Sequence, residues 1–149
     1  MAIARGAGTE IIRCIHLEEV DATGSPLIFG VAHHIYTVLS VICFASSVNT
    51  AGNHISMRVL GYDAKEGTTG INHYIFRQDM NQYDSFVWND KFSFNGNEPT
   101  NFTGPMDSIV KQDAIADQGQ ATAQKLIIDS EGAGDNFIVT CTYIDQNNS

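Results

Sequence analysis

Between Glu10 and Ile144 the sequence breaks into short apolar runs, rich in β-branched and aromatic residues and divided by polar, glycine-containing turns. A turn recurs roughly every ten to twenty residues, which leaves no room for long helices and points to an all-β sandwich or barrel. Several runs alternate with period two. Ile11, Arg13 and Ile15 share one face against Ile12 and Cys14, and Ile55, Met57 and Val59 oppose Ser56 and Arg58. That alternation marks half-buried strands.

The run Ile35 to Ala45 is nearly continuous in hydrophobicity, so it is expected to be a strand covered on both faces. Ile71 to Arg77 is a further strand. Asp84 to Phe94 holds Phe86, Trp88, Phe92 and Phe94 around Asn89-Asp90, and reads as one bent strand or a strand pair. The loop Asn49 to Asn53 reads as a hairpin, as does the connection between the closing strands Gln124 to Asp129 and Asn136 to Ile144. Ile35, Val38, Val41, Phe86, Val139 and Cys141 are the expected core. The expected fold is an antiparallel, jelly-roll-like sandwich of about eight strands with little helix. It is one domain, residues 10–149, preceded by an N-terminal arm, residues 1–9, and carrying a long insertion at about residues 95–123.

A chain of 149 residues can bury a core of its own. With 17 acidic and 8 basic residues its formal charge is −9, so phosphate backbones and anionic membrane surfaces are disfavoured partners. The opening residues Met1 to Gly8 are too short and glycine-broken for a secretory leader, and Ile35 to Ala45 is too short to span a membrane, so folding in a cytoplasm is expected. Cys14, Cys43 and Cys141 are odd in number and far apart, and each lies in a strand-like run. Buried free thiols are expected, not disulfides or a zinc site.

No catalytic constellation stands out. His33 and His34 are adjacent, and adjacent strand residues point to opposite faces, so they do not suit one metal. His54 and His73 have no Cys or carboxylate at ligand spacing. There is no Gly-x-Ser-x-Gly elbow, and Gly6-Ala7-Gly8 lacks the preceding strand a phosphate loop needs. Asp129 to Asp135 offers oxygens but not the spacing of a calcium loop, and reads as a plain turn. No cofactor and no enzymatic activity are expected.

From about Ile35 onward the order of elements resembles a family of small β-sandwich proteins of tailed-phage virions. The residues that carry the resemblance are Ile35 to Cys43, the aromatic-rich Asp84 to Phe92, and the closing pair Gln124 to Asp129 and Phe137 to Ile144. The opening Met1 to Arg13 is similar to starts of structural proteins of marine and cyanobacterial phages. The long segment 95–123 departs from the pattern, in which a short turn joins those strands. The resemblance implies a virion protein, most of all a capsid decoration (cement) subunit. Such a subunit works as a homo-oligomer, a trimer by expectation, and binds the major capsid protein or other virion proteins.

A neck, tail or fibre-attachment component is the alternative. A glycan-binding sandwich is a second one, and it requires an exposed Trp88 near Tyr83. The interface candidates are Arg5 in the arm and Phe102, Met106, Ile109 and Val110 in the insertion, because these segments have few anchors of their own.

Overall fold

A computed structural model describes residues 9–61, 70–97, 107–110 and 123–147. Among these residues nine strands form two antiparallel sheets: β1 Thr9–Val20, β2 Ser25–Phe29, β3 His34–Ser47, β4 His54–Gly61, β5 Ile71–Asp79, β6 Ser85–Trp88, β7 Phe92–Asn95, β8 Lys125–Ser130 and β9 Asn136–Asn147. The first sheet runs β1-β9-β3-β6, with β7 also on β3. The second runs β2-β8-β4-β5. The chain is therefore an all-β sandwich.

Its connectivity is that of a long hairpin rolled up on itself. β4 pairs with β5, β3 with β6 and β7, β2 with β8, and β1 with β9. The roll closes where β9 also pairs with β3 and β8 with β4. This is the jelly-roll order. The stretch from Ser85 to Asn95 is one strand position split in two, since both halves lie along β3 and residues 89–91 leave the ladder between them.

The core lies between the sheets. From the first come Val38, Val41, Cys43, Phe137, Val139 and Cys141, all fully buried, and from the second Ile55, Met57, Leu126 and Ile128. Phe86 is partly buried and packs against this cluster, its ring 4.9 Å from that of Phe76.

Several sequence expectations need correction. Ile35 is not core: its register partners are Gln146 and Asn95, on the outward side of β3. Nor is β3 covered on both faces. Buried Val41 and Cys43 flank Ile42, which is 46% exposed. A continuous apolar run signals double coverage only where a second layer packs on it, and among the described residues none packs on this side. Cys14 is exposed on β1, whereas Cys43 and Cys141 are buried free thiols as expected. Burial pushes both of these thiols up to about 12.

The loops 49–53 and 130–135 are not hairpins. Each joins strands of different sheets, β3 to β4 and β8 to β9. A buried carboxylate, Asp135, clamps the two loops together. It accepts hydrogen bonds from the Asn49 amide at 2.8 Å, the Gly132 amide at 2.9 Å and Asn53 Nδ2 at 3.1 Å. At another junction two glycines let the sheets touch backbone to backbone. A Cβ on Gly30 would lie 1.9 Å from the Gly96 carbonyl oxygen, and one on Gly96 the same distance from that of Val31. Around them Gly30 N donates to Gln124 O, Gln124 N to Gly96 O, and Gly96 N to His34 O. Beside this junction Asn97 and Ala123, far apart in sequence, form an antiparallel bridge.

Candidate functional site: the outward face of the first sheet

Alternation along the ladders sorts the first sheet into an inner and an outer face. Outward on β9 are Ile138, Thr140, Thr142, Ile144 and Gln146, and beside them on β3 lie Ile35, Thr37, Ser40, Ile42 and Phe44. β6 and β7 add Ser85, Val87, Ser93 and Asn95. None of these side chains is charged, in a chain with 25 charged residues (17 acidic plus 8 basic), whereas the edge strand β1 adds Glu10, Ile12, Cys14 and His16 to the same side. Ile42 and Val87 are a cross-strand pair, 46% and 54% exposed. Short hydroxyl and β-branched side chains keep this surface flat, and Thr37 and Ser93 join their hydroxyls at 2.8 Å.

At one end Tyr83 extends the face. Its ring stacks on Phe44, with centroids 6.4 Å apart, and remains 71% exposed. The β5–β6 loop holds it there: Tyr83 N donates to Ala45 O, Ala45 N to Asp84 O, and Asn81 N to Asp84 Oδ2. Tyr83 sits at φ +71°. The left-handed region costs a non-glycine residue about 1–2 kcal/mol, so the loop keeps an exposed aromatic ring where glycine is the easier choice.

The opposite face of the molecule differs. On β4, β8 and β5 the outward positions include Arg58, Lys125, Asp129 and Arg77. There Arg58 forms an ion pair with Asp129, which also accepts a hydrogen bond from Ser56 Oγ at 2.5 Å, and Arg58 Nε donates to Asn72 Oδ1 at 3.0 Å. Lys125 lies over the exposed Phe29 ring, 4.7 Å from its centroid.

The histidines resolve into separate structural tasks. His33 occupies the turn before β3 at φ +69°. His34 turns inward, where its Nδ1 lies 2.5 Å from Asp145 Oδ1 and its ring stacks on Tyr36 at 5.9 Å. Asp145, 7% exposed, also pairs with Arg13 Nε at 3.2 Å, so one buried carboxylate joins β1, β3 and β9. Tyr36 Oη accepts a hydrogen bond from the Val31 amide, and burial holds the Tyr36 phenol above its ordinary range. His54 Nδ1 lies 2.8 Å from Glu131 Oε2. Among the described residues no three His, Cys, Asp or Glu side chains gather as a metal site. The oxygens of Asp135 are taken by N–H donors, which fits a turn clamp and not a cation loop.

Of the interface candidates, Arg5, Phe102 and Met106 lie outside the described residues. Ile109 and Val110 are helical and exposed, at 46% and 79%. Trp88 points inward, its ring stacked on Phe76 at 5.7 Å, so it is not the open platform that a glycan-binding reading requires. Sequence reading missed the uncharged face, Tyr83 as its extension, and the Asp135 and Asp145 joints. No local pattern marks them, because each is assembled by strand register across the fold.

No family model matches the chain, and no curated protein matches it. Among solved structures it is similar to a chain of Bacillus endospore appendages, a family of disulfide-linked pili. Identity there is 12%, coverage 100% of this chain and 97% of that one, and the TM-score 0.46. It is also similar to a chain of the T13 IBDV viral particle. Here identity is 13%, coverage 99% of this chain and 37% of that one, and the TM-score 0.41. Likeness at this level assigns no function.

Proposed function

We propose that this chain is a non-enzymatic structural subunit of a tailed-phage particle, a capsid decoration protein that assembles as a homo-oligomer on the mature head and braces it. The observation that carries this reading is the flat outward face of the first sheet, neutral across β9, β3, β6 and β7. Ile42, Val87 and the Tyr83 ring lie exposed on it, and an exposed apolar patch is the kind of surface that binds protein. A net charge of −9 keeps the free subunit soluble until that face is covered. The jelly roll is a fold used in virus shells, an analogy of fold.

The test is direct. In purified particles of the phage that encodes the chain, quantitative mass spectrometry and cryo-electron microscopy should find it in fixed ratio to the major capsid protein, on the head. Ile42→Glu should leave the circular dichroism spectrum unchanged and strip the subunit from heads. Finding the protein only at the tail, or not in particles at all, overturns the decoration reading. So does full occupancy by folded Ile42→Glu subunits.

A further inference from the structure

The free edges of the two sheets are unequally protected. β2 is five residues long, contains Pro26 and shifts register after it. β6 and β7 are four residues each, with residues 89–91 between them. β5 pairs with β4 through a register shift at Met57/Arg58 and carries Arg77 and Asp79. β1 carries the charged Glu10 and Arg13, the latter paired with its own Asp145, but along its first nine residues it has none of the backbone guards. Thr9 to Leu17 keep unbroken register with β9, without proline, glycine or bulge. Thr9 to Cys14 are all exposed, Ile12 to 70%. Among the described residues β9 is the only strand beside β1. A long edge in unbroken register presents a row of backbone donors and acceptors, which is a template for another strand.

We propose that the edge of β1 pairs antiparallel with β1 of a second copy, about a two-fold axis through Arg13, so that the two first sheets become one continuous sheet. This deepens the reading of the chain as an assembling subunit, and rests on it, by naming the partner and the register. The register follows from charge and face. Even-numbered residues of β1 point outward, with Thr140 and Thr142, and odd-numbered ones inward, with Val139 and Cys141. A two-fold axis normal to the sheet sets like faces opposite each other.

An axis at Cys14 would put Glu10 against Glu18, a like-charge pair. An axis at Ile12 would put Arg13 against Ile11. An axis at Arg13 sets Glu10 opposite His16, Ile11 opposite Ile15 and Ile12 opposite Cys14, each twice by symmetry. The two Arg13 side chains that then meet are each neutralised by their own Asp145, 3.2 Å away. The exposed apolar residues of β1 gain apolar partners, and the acceptor Glu10 gains an imidazole. Such a contact is isologous and closes at two copies, not the three that the family resemblance implies. It also joins the two outward faces into one surface, with the facing Glu10 and His16 side chains along the seam.

The test uses the full chain. Sedimentation equilibrium should give twice the 16.3 kDa of one chain. His16→Glu, which opposes two glutamate pairs, should weaken association roughly tenfold. Adding Glu10→Lys to it should restore association. Ile12→Cys should form, on mild oxidation, a disulfide from residue 12 of one copy to Cys14 of the other. Mixed isotope-labelled and unlabelled chains identify that link as intermolecular by peptide mass spectrometry, and adding Cys14→Ser should abolish it. A 16.3 kDa wild-type particle across the micromolar to millimolar range overturns the proposal, as does a link found only within one copy or the absence of rescue. Were His16→Glu to disturb the fold, the Ile12→Cys link decides alone. Copy number in particles is a separate measurement, so a chain that dimerises but is absent from heads refutes the decoration reading and leaves the strand pairing standing.

Discussion

Asp135→Asn is the smallest change that tests how the two sheets are held in register at one end of the roll. The carboxylate is 4% exposed and its oxygens take the Asn49 amide, the Gly132 amide and Asn53 Nδ2. Asparagine keeps the shape but turns one oxygen into a donor. With that donor in the Oδ1 position it meets the Asn49 N–H, and in the Oδ2 position the Gly132 N–H, so one backbone amide is orphaned in either orientation. An unsatisfied buried donor costs about 1–3 kcal/mol, and the remaining bonds lose their charge assistance, about another 1 kcal/mol. The sum, about 2–4 kcal/mol, lowers the melting temperature by roughly 5–15 °C for a chain of this size. Differential scanning calorimetry measures it, with the exposed Asp79→Asn as a control expected to change little. Asn53→Ala should cost less, about 1 kcal/mol, and should be non-additive with Asp135→Asn because the two share a bond. A shift of under about 2 °C for Asp135→Asn would show that the loops are not held by this carboxylate.

Three other outcomes are expected. Gly96→Ala forces a Cβ onto the Val31 carbonyl and should cost about 3 kcal/mol or more, seen as a sharp fall in denaturant midpoint; a wild-type midpoint contradicts the backbone contact. In the native state a thiol reagent should titrate Cys14 rapidly and Cys43 and Cys141 only on unfolding, so more than one fast thiol per chain contradicts their burial. Stability should fall as pH rises from about 9 toward 12, because the unfolded chain releases thiol and phenol protons that the folded chain keeps at Cys43, Cys141 and Tyr36. An equal or higher urea midpoint at alkaline pH contradicts that sign.

Most strands are legible in the sequence because alternation is local: the runs at Ile11 to Ile15 and Ile55 to Val59 show their two faces without any knowledge of partners. The order of strands in the sheets is not local. β1 pairs with β9, and the residues Arg13 and Asp145 that meet there lie at opposite ends of the chain. The loops 49–53 and 130–135 show the same limit. Glycine and asparagine satisfy a tight hairpin and a sheet-crossing corner equally well, and only the clamp at Asp135 distinguishes them. The run Ile35 to Ala45 misleads for a related reason: apolar residues on its second face serve a surface, not a second core layer.

That surface is poorer in charge than the surface of a soluble protein usually is. Fourteen outward positions on β9, β3, β6 and β7 are uncharged. At the roughly 30% charged residues typical of a soluble protein's surface, about four of them should carry charge. Strand propensity against Asp, Glu and Lys accounts for part of the shortfall. It does not account for all of it, because the outward positions of β4, β8 and β5 belong to the same fold and hold Arg58, Lys125, Asp129 and Arg77. The contrast is between β9, β3, β6 and β7 on one side and β4, β8 and β5 on the other, since the edge strand β1 adds Glu10 and His16 to the first side. One pairs Arg58 with Asp129. The other keeps Ile42, Val87 and Tyr83 exposed, and holds Tyr83 in a strained turn, which suits a face covered by protein in the assembled state.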